Sequence, residues 1–196
     1  VALTIRQYKY LAAAVEFPLR QPSSGQYNPE QETTMQKITP CLWFDNQAEE
    51  AARYYIGIFK NSKITEISYY TEAGKETHGQ SAGSVLAVGF ELNGQPFAAL
   101  NGGPLFKFNE AISLQVPCDT QEEIDYYWDK LCNGGDPAAQ VCGWLKDKYG
   151  VSWQVFPQEV QKMLLDPDRE KAGRAMGALM KMRKMDLAAL RKAYNG

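Results

Sequence analysis

Two stretches decide the fold: Ile38-Thr-Pro-Cys-Leu-Trp-Phe-Asp-Asn-Gln-Ala-Glu49 and, at an offset of 74, Ile112-Ser-Leu-Gln-Val-Pro-Cys-Asp-Thr-Gln-Glu-Glu123. In each, an apolar run ends at an acid and passes into a helical pattern. Ile38, Asp45, Gln47 and Glu49 meet Ile112, Asp119, Gln121 and Glu123, and further on Tyr54 meets Trp128. Acids gather at any helix start because the helix dipole favours negative charge there. The order of elements that follows is what makes this a repeat.

In the first copy, residues 47–59 have helical spacing, with Ala48, Ala51, Ala52, Tyr55 and Phe59 on one face and Asp45 or Asn46 as N-cap. Residues 64–70 alternate as a strand, and 84–92 and 95–100 flank Asn93-Gly94, a strong hairpin signal. In the second copy, 112–118 reads as a strand. Residues 120–132 read as a helix capped by Asp119 or Thr120, with Ile124, Tyr127, Trp128 and Leu131 inward, and Gly134-Gly135 stops it. Residues 141–145 and 151–156 form a second hairpin across Asp147-Lys-Tyr-Gly150.

The expected class is α+β: two βαβββ modules, at 36–104 and 105–157, followed by a C-terminal helical tail at 158–196. In the tail, Asp166-Pro167 opens one helix and Asp186 caps the last. Met176, Met180, Met182 and Met185 read as packing. Residues 1–34 have linker composition and read as an appended arm.

Composition excludes several classes. The 196 residues carry Lys+Arg 21 against Asp+Glu 23, a net charge of −2, so there is no basic surplus to neutralise nucleic-acid phosphate. No stretch approaches the roughly 20 apolar residues of a membrane span. The 4 cysteines are too few for a disulfide scaffold, and a cytoplasmic chain is expected. His78 is the sole histidine, so no site within this sequence can use two imidazoles.

Five strings carry a family resemblance: Ile38-Thr-Pro-Cys-Leu-Trp-Phe-Asp45; Glu49-Glu-Ala-Ala-Arg-Tyr-Tyr55; Leu100-Asn-Gly-Gly-Pro104; Cys142-Gly-Trp-Leu-Lys-Asp-Lys-Tyr-Gly-Val-Ser-Trp-Gln154; and Lys184-Met-Asp-Leu-Ala-Ala-Leu190. Over 36–195 the chain resembles the vicinal-oxygen-chelate superfamily, the glyoxalase and bleomycin-resistance fold. More narrowly it resembles the PhnB-like branch labelled 3-demethylubiquinone 3-methyltransferase-like. The resemblance implies that each module curls its sheet with the helix outside, that two modules line a glyoxalase-like cleft, and that the chain forms a homodimer. In metal-dependent members, His, Gln or Glu from the first and last strands of each module hold a divalent ion that acts as a Lewis acid.

Where such members read Asp-x-x-Gly-x-x-x-Glu, this chain has Asp147, Gly150 and Gln154, an amide for the carboxylate. The last strand of the first module offers Asn101, and the first strands offer Thr39 and Cys41, then Ser113 and Gln115. Neutral oxygens and one thiol make a poor divalent-metal site, so neither metal nor cofactor is expected. Period-two alternation puts Thr39, Cys41 and Trp43 on the open face of one module, and Ser113, Gln115, Gln154 and Phe156 on that of the other. With Asn101 they form the expected ligand cleft, suited to a planar or apolar small molecule.

His78 lies in a polar, Gly-rich loop and reads either as a solvated loop histidine or as a lid bringing one imidazole over the cleft. Cys41 is the thiol best placed to meet a ligand, while Cys118, Cys132 and Cys142 read as buried small groups. Three functions stand: a metal-free, homodimeric small-molecule binder; a metal-dependent lyase, isomerase or dioxygenase using Gln154, Gln115 and Asn101; and the methyltransferase of the branch label. The last lacks a Gly-rich loop in the context that S-adenosylmethionine requires.

Overall fold

Parallel strands need a crossover, and in this chain a helix supplies it twice. The computed structural model describes residues 38–196, so the arm expected at 1–34 lies outside the described residues. The chain divides into two compact units, with the boundary between Lys107 and Phe108.

The first unit runs β1 (Cys41–Phe44), α1 (Ala48–Ile58), β2 (Lys63–Tyr69), the single-turn α2 (Lys75–His78), β3 (Val85–Leu92) and β4 (Gln95–Asn101). Its sheet has the order β1-β4-β3-β2, with β1 parallel to β4 and the other pairs antiparallel. The hairpin turns on Asn93 and Gly94, both at positive φ (49° and 77°), as its tight turn demands. Helix α1 buries Ala48, Ala51, Ala52, Tyr55 and Ile58. Ile58 takes the inward place expected of Phe59, which caps the helix C-terminus in extended conformation. The Tyr55 ring stacks on Phe90 at 6.4 Å, and Phe90 on Phe97 at 5.4 Å. Each large side chain removed from water in this way contributes about 1.5–3 kcal/mol.

The start of α1 corrects the expected cap. Neither Asp45 nor Asn46 stands at the N-cap; Gln47 does, and it makes no side-chain capping bond. The Asn101 carboxamide, from the end of β4, does the work instead. Its Oδ1 accepts the Ala48 N–H at 2.8 Å and its Nδ2 donates to the Val85 carbonyl at 3.0 Å. The Tyr70 hydroxyl donates to the Asn101 carbonyl at 2.5 Å. One residue, 7% exposed, thereby ties together β4, the start of α1, the start of β3 and the end of β2.

The second unit runs β5 (Leu114–Cys118), α3 (Gln121–Leu131), a 3-10 turn (Pro137–Ala139), β6 (Trp144–Lys146), β7 (Ser152–Pro157), then α4 (Gln158–Leu164), α5 (Arg169–Leu179) and α6 (Leu187–Asn195). The sheet order is β5-β7-β6, with β5 parallel to β7. It has three strands where the repeat predicts four. Residues 132–143 replace the missing strand: Asn133-Gly-Gly-Asp-Pro137 bends into the 3-10 turn, and only an isolated bridge, Val141 to Trp144, remains of any pairing. The first unit gives 26 residues to the corresponding span between Ile58 and Val85, enough for a strand and a loop.

Thr120 caps α3 as expected, accepting the Glu123 N–H at 3.2 Å. The tail belongs to this unit. Cys142 N–H and Gly143 N–H donate to the carbonyls of Met182 and Arg183, both at 2.8 Å. The Gln121 amide clamps the start of α6, giving a hydrogen bond to the Met185 carbonyl at 3.1 Å and taking one from Leu187 N–H at 3.0 Å. Asp186 caps α6 as expected, but Asp168 rather than Asp166 caps α5. Asp166 instead accepts the Tyr194 hydroxyl. Of the methionines, Met185 is fully buried against Gly143, while Met176 and Met180 are exposed. Among the described residues, no helix is long and apolar enough to cross a membrane.

Two substitutions separate the observed cap from the expected one. Asn101→Ala leaves the Ala48 N–H without its acceptor and lowers stability by about 1–3 kcal/mol in urea titration, while Asn46→Ala changes it by less than about 0.5 kcal/mol. In the second unit, Asp147 is 2% exposed and accepts the Trp153 indole N–H at 2.8 Å and the backbone N–H groups of Tyr149 and Val151 at 2.9 and 3.0 Å. Asp147→Ala orphans those donors, and the stability measured by urea titration falls by a similar amount.

Candidate functional site

Register fixes which side chains share a face, because paired residues point the same way. In the second unit, Gln115 of β5 pairs with Gln154 of β7, which pairs with Trp144 of β6. Pro117 pairs with Phe156 on the same face. The alternate residues, Val116, Leu145, Trp153 and Val155, are buried on the other side. Gln154 Nε2 donates to Ser113 Oγ at 2.7 Å, and Gln115 Nε2 reaches Gln154 Oε1 at a long 3.4 Å. Four of the expected residues, Ser113, Gln115, Gln154 and Phe156, therefore share one face, and three form a hydrogen-bonded chain. Trp144, half-buried beside them, was not among the expected residues. The signal for it was the short Asp147–Gly150 connection, which sets the register of Trp144 against Gln154.

The chain of amides has a definite polarity. With its N–H on Ser113 and its oxygen toward Gln115, Gln154 leaves the Gln115 Oε1 as an acceptor and the Ser113 hydroxyl proton as a donor. Both groups are neutral.

In the first unit, Cys41 and Trp43 pair with Ala98 and Leu100 and share their face, and Thr39 lies exposed two residues before Cys41. Asn101 pairs with Phe44 and so points to the opposite face, where it serves α1. It does not join Thr39, Cys41 and Trp43. The Trp43 indole N–H donates to the Gly103 carbonyl at 2.9 Å, and the ring lies across Gly102, where a Cβ would come within 2.1 Å of it. Phe106 meets the ring edge-on at 4.9 Å. Cys41 is exposed as a residue, yet local desolvation holds its thiol above the usual cysteine range, so it is protonated at neutral pH. That is the opposite of an activated thiolate. Cys118 is buried and pushed up to about 12 by desolvation and the nearby Glu123 and Asp119 carboxylates, and Cys132 and Cys142 are half-buried.

Sequence reasoning missed Glu66. It faces Gly89, which pairs with Ala98, which pairs with Cys41, so acid and thiol end one cross-strand row. A bulge at Thr65 breaks the alternation, which is why parity could not place Glu66. Partial desolvation raises its carboxyl. His78 joins neither face through its ring nitrogens, which bond its own loop at Gln80 N and Ala73 O.

A divalent ion needs several anionic or imidazole donors around one point. The second face offers two carboxamides and a hydroxyl already bonded to one another, and the first offers a protonated thiol and a carboxyl on opposite edge strands. Among the described residues, no three His, Cys, Asp or Glu side chains come together to hold a metal. The residues present do not fit the ion of the metal-dependent members.

A concavity of about 690 Å³ lies elsewhere in the second unit, at the starts of α3 and α6. Both of its cations are paired, Lys184 with Asp125 at 2.7 Å and Arg191 with Glu159 at 2.5 Å, and the acids Asp119, Glu122 and Asp186 also line it.

Comparison with known proteins places these observations. The family model of 3-demethylubiquinone-9 3-methyltransferase matches residues 36–156. A Bacillus cereus PhnB protein, a candidate 3-demethylubiquinone-9 3-methyltransferase, is 41% identical, with 62% of this chain and 99% of that one covered and a TM-score of 0.53. A Staphylococcus aureus protein is 31% identical over 59% of this chain and 91% of its own, with a TM-score of 0.26. The fosfomycin resistance protein FosX of Listeria monocytogenes is 13% identical over 68% of this chain and 99% of its own, with a TM-score of 0.46. No curated protein matches the chain. The family resemblance read from the sequence and the α+β fold agree with the first two of these findings: this chain belongs to the 3-demethylubiquinone-9 3-methyltransferase family of PhnB-like proteins.

Proposed function

We propose that the chain binds a small, uncharged aromatic molecule without a metal ion, on the face of the second sheet that carries Ser113, Gln115, Gln154, Phe156 and Trp144. The observation that carries this reading is the Ser113–Gln154–Gln115 chain, at 2.7 and 3.4 Å, between two half-buried aromatic side chains. Trp144 and Phe156 supply flat apolar area, and the amide chain supplies one acceptor and one donor. A phenol or similar planar molecule with a hydroxyl matches that pair. The cation that the register puts on this face, Lys146, is already paired with Glu110, so a charged ligand would have to break that pair or be desolvated without a partner.

Methyl transfer, which the family's label suggests, finds less support in this chain. The only doublet of glycines near a strand end in the first unit, Gly102-Gly103, lies beneath the Trp43 indole and accepts its N–H. The indole fills the space over Gly102 that a methyl donor's nucleoside would need. The reading also includes a cytoplasmic location and a homodimer, and sedimentation equilibrium tests the second: a mass twice 22.0 kDa supports the dimer and a monomer at high micromolar concentration removes it.

The ligand reading is tested with 2-naphthol, titrated into protein treated with chelator, while the side-chain amide signals of Gln115 and Gln154 are followed by NMR. Saturable shifts of both are expected, and Gln154→Ala should weaken binding about tenfold, the worth of a hydrogen bond of about 1.4 kcal/mol. Binding that appears only after a divalent metal is added, or shifts confined to other residues, would overturn the proposal.

A further inference from the structure

The Tyr70–Ser84 connection is closed by backbone bonds at its mouth. Tyr70 N–H donates to the Ser84 carbonyl and Gly83 N–H to the Tyr70 carbonyl, both at 2.8 Å. Inside, the single-turn α2 stands between two left-handed glycines, Gly74 at φ 79° and Gly79 at φ 69°. The His78 ring is fastened at both nitrogens. Gln80 N–H lies 3.0 Å from Nδ1, and the Ala73 carbonyl lies 3.2 Å from Nε2. An N–H can only donate and a carbonyl can only accept. These two partners therefore specify a neutral ring with its proton on Nε2.

We infer that His78 is a proton-sensitive latch for this loop: it holds the loop in the neutral Nε2–H form, and a second proton releases Gln80. Protonation places a hydrogen on Nδ1, facing the Gln80 N–H, so the acceptor disappears whatever the pH at which this happens. The Ala73 bond survives, because Nε2 donates in both states. The release is therefore one-sided: the turn before the ring stays tied, Gly79 and Gly83 keep their bonds to the Lys75 and Tyr70 carbonyls, and only the Gln80 N–H between them loses its anchor.

The groups placed to feel the added charge are few. Tyr70, buried, stacks against the ring at 4.5 Å between centroids and passes its hydroxyl to the Asn101 carbonyl. On the loop, Glu72 and Lys75 pair with each other at 3.2 Å, and Glu76 is the remaining charged side chain. The Tyr70 ring lies against the imidazole and the Ala73 bond holds Nε2 in either state, so the ring keeps its place. The latch opens by loss of an acceptor and not by expulsion of the imidazole. The consequence is confined to the Gln80 side of the loop, with the Tyr70–Asn101 bond intact.

The test is NMR on the full chain between about pH 5 and 8, the range over which histidine changes charge. At the upper end, the two imidazole 15N shifts should report Nε2–H. Exchange of the Gln80 amide, corrected for the intrinsic pH dependence, should rise about tenfold in step with the imidazole titration, while that of Gly79, bonded to the Lys75 carbonyl at 2.8 Å, should not. In His78→Asn, whose side-chain oxygen can take the Gln80 N–H but cannot titrate, Gln80 should exchange at one corrected rate throughout. An Nδ1–H tautomer at the upper end would overturn the inference. So would a Gln80 amide indifferent to the imidazole titration in the unmodified chain, a readout that needs no variant to fold.

Discussion

In each unit the first strand lies parallel to the last, and everything else is arranged around that pairing. Parallel neighbours cannot be joined by a tight turn, so the chain must leave the sheet, cross it as a helix, and return. That excursion brings Cys41 beside Ala98 and Gln115 beside Gln154, residues far apart in sequence. It also decides the two faces. The helix covers one, so apolar residues alternate toward it, and the intervening residues are left for other work. The second unit keeps this pairing although it lacks a fourth strand, which shows which contact is dispensable. An antiparallel edge strand can shrink to a single bridge, but the parallel pair cannot be given up without losing the face on which Ser113, Gln115 and Gln154 meet.

Three carboxamides show how position turns one chemistry to different ends. Asn101, on the helix side of β4, spends both ends of its amide on backbone groups that would otherwise lack partners. Gln121, in the first turn of α3, does the same for the tail, bonding Met185 and Leu187. Gln154 lies on the open side of β7 and bonds only other side chains. A backbone group is fixed, so an amide serving it is structural and hard to redirect. A side-chain partner can turn, so an amide serving it can exchange that partner for a ligand. On this ground Gln154 and Gln115 stay in the site and Asn101 leaves it.

Much of this was legible in the residues and some was not. Strands, helices and the Asn93-Gly94 hairpin follow from periodicity and turn chemistry, which are local. The face shared by Ser113, Gln115, Gln154 and Phe156 follows from parity alone, since β5 and β7 run without a bulge. Parity failed where the backbone departs from it: the bulge at Thr65 hid Glu66, and the Gly-Pro-rich turn before Val141 removed a strand that the repeat called for. Asn101 was misplaced for a different reason. Its side chain was assigned by chemistry, as the only polar group at the end of β4, whereas the register with Phe44 turns it to the helix side. The cap of α1 was invisible from its neighbours, because the residue that provides it lies 53 positions away.

Neutrality is the property that ties the candidate site to its chemistry. Putting a carboxylate where Gln154 stands would add a charge beside Ser113 and Gln115 but no second anion or imidazole to share an ion with, so a single change would not make a metal centre. It would also reverse the polarity of the chain, since a carboxylate only accepts, and the Ser113 hydroxyl would have to turn inward to donate to it. The outward donor would then be lost. The amide keeps one donor and one acceptor facing out and leaves them insensitive to salt, because no net charge is there to be screened. Recognition by such a pair depends on geometry and on the flat apolar area of Trp144 and Phe156, so selectivity at this face lies in the shape and hydrogen-bonding pattern of the ligand rather than in its charge.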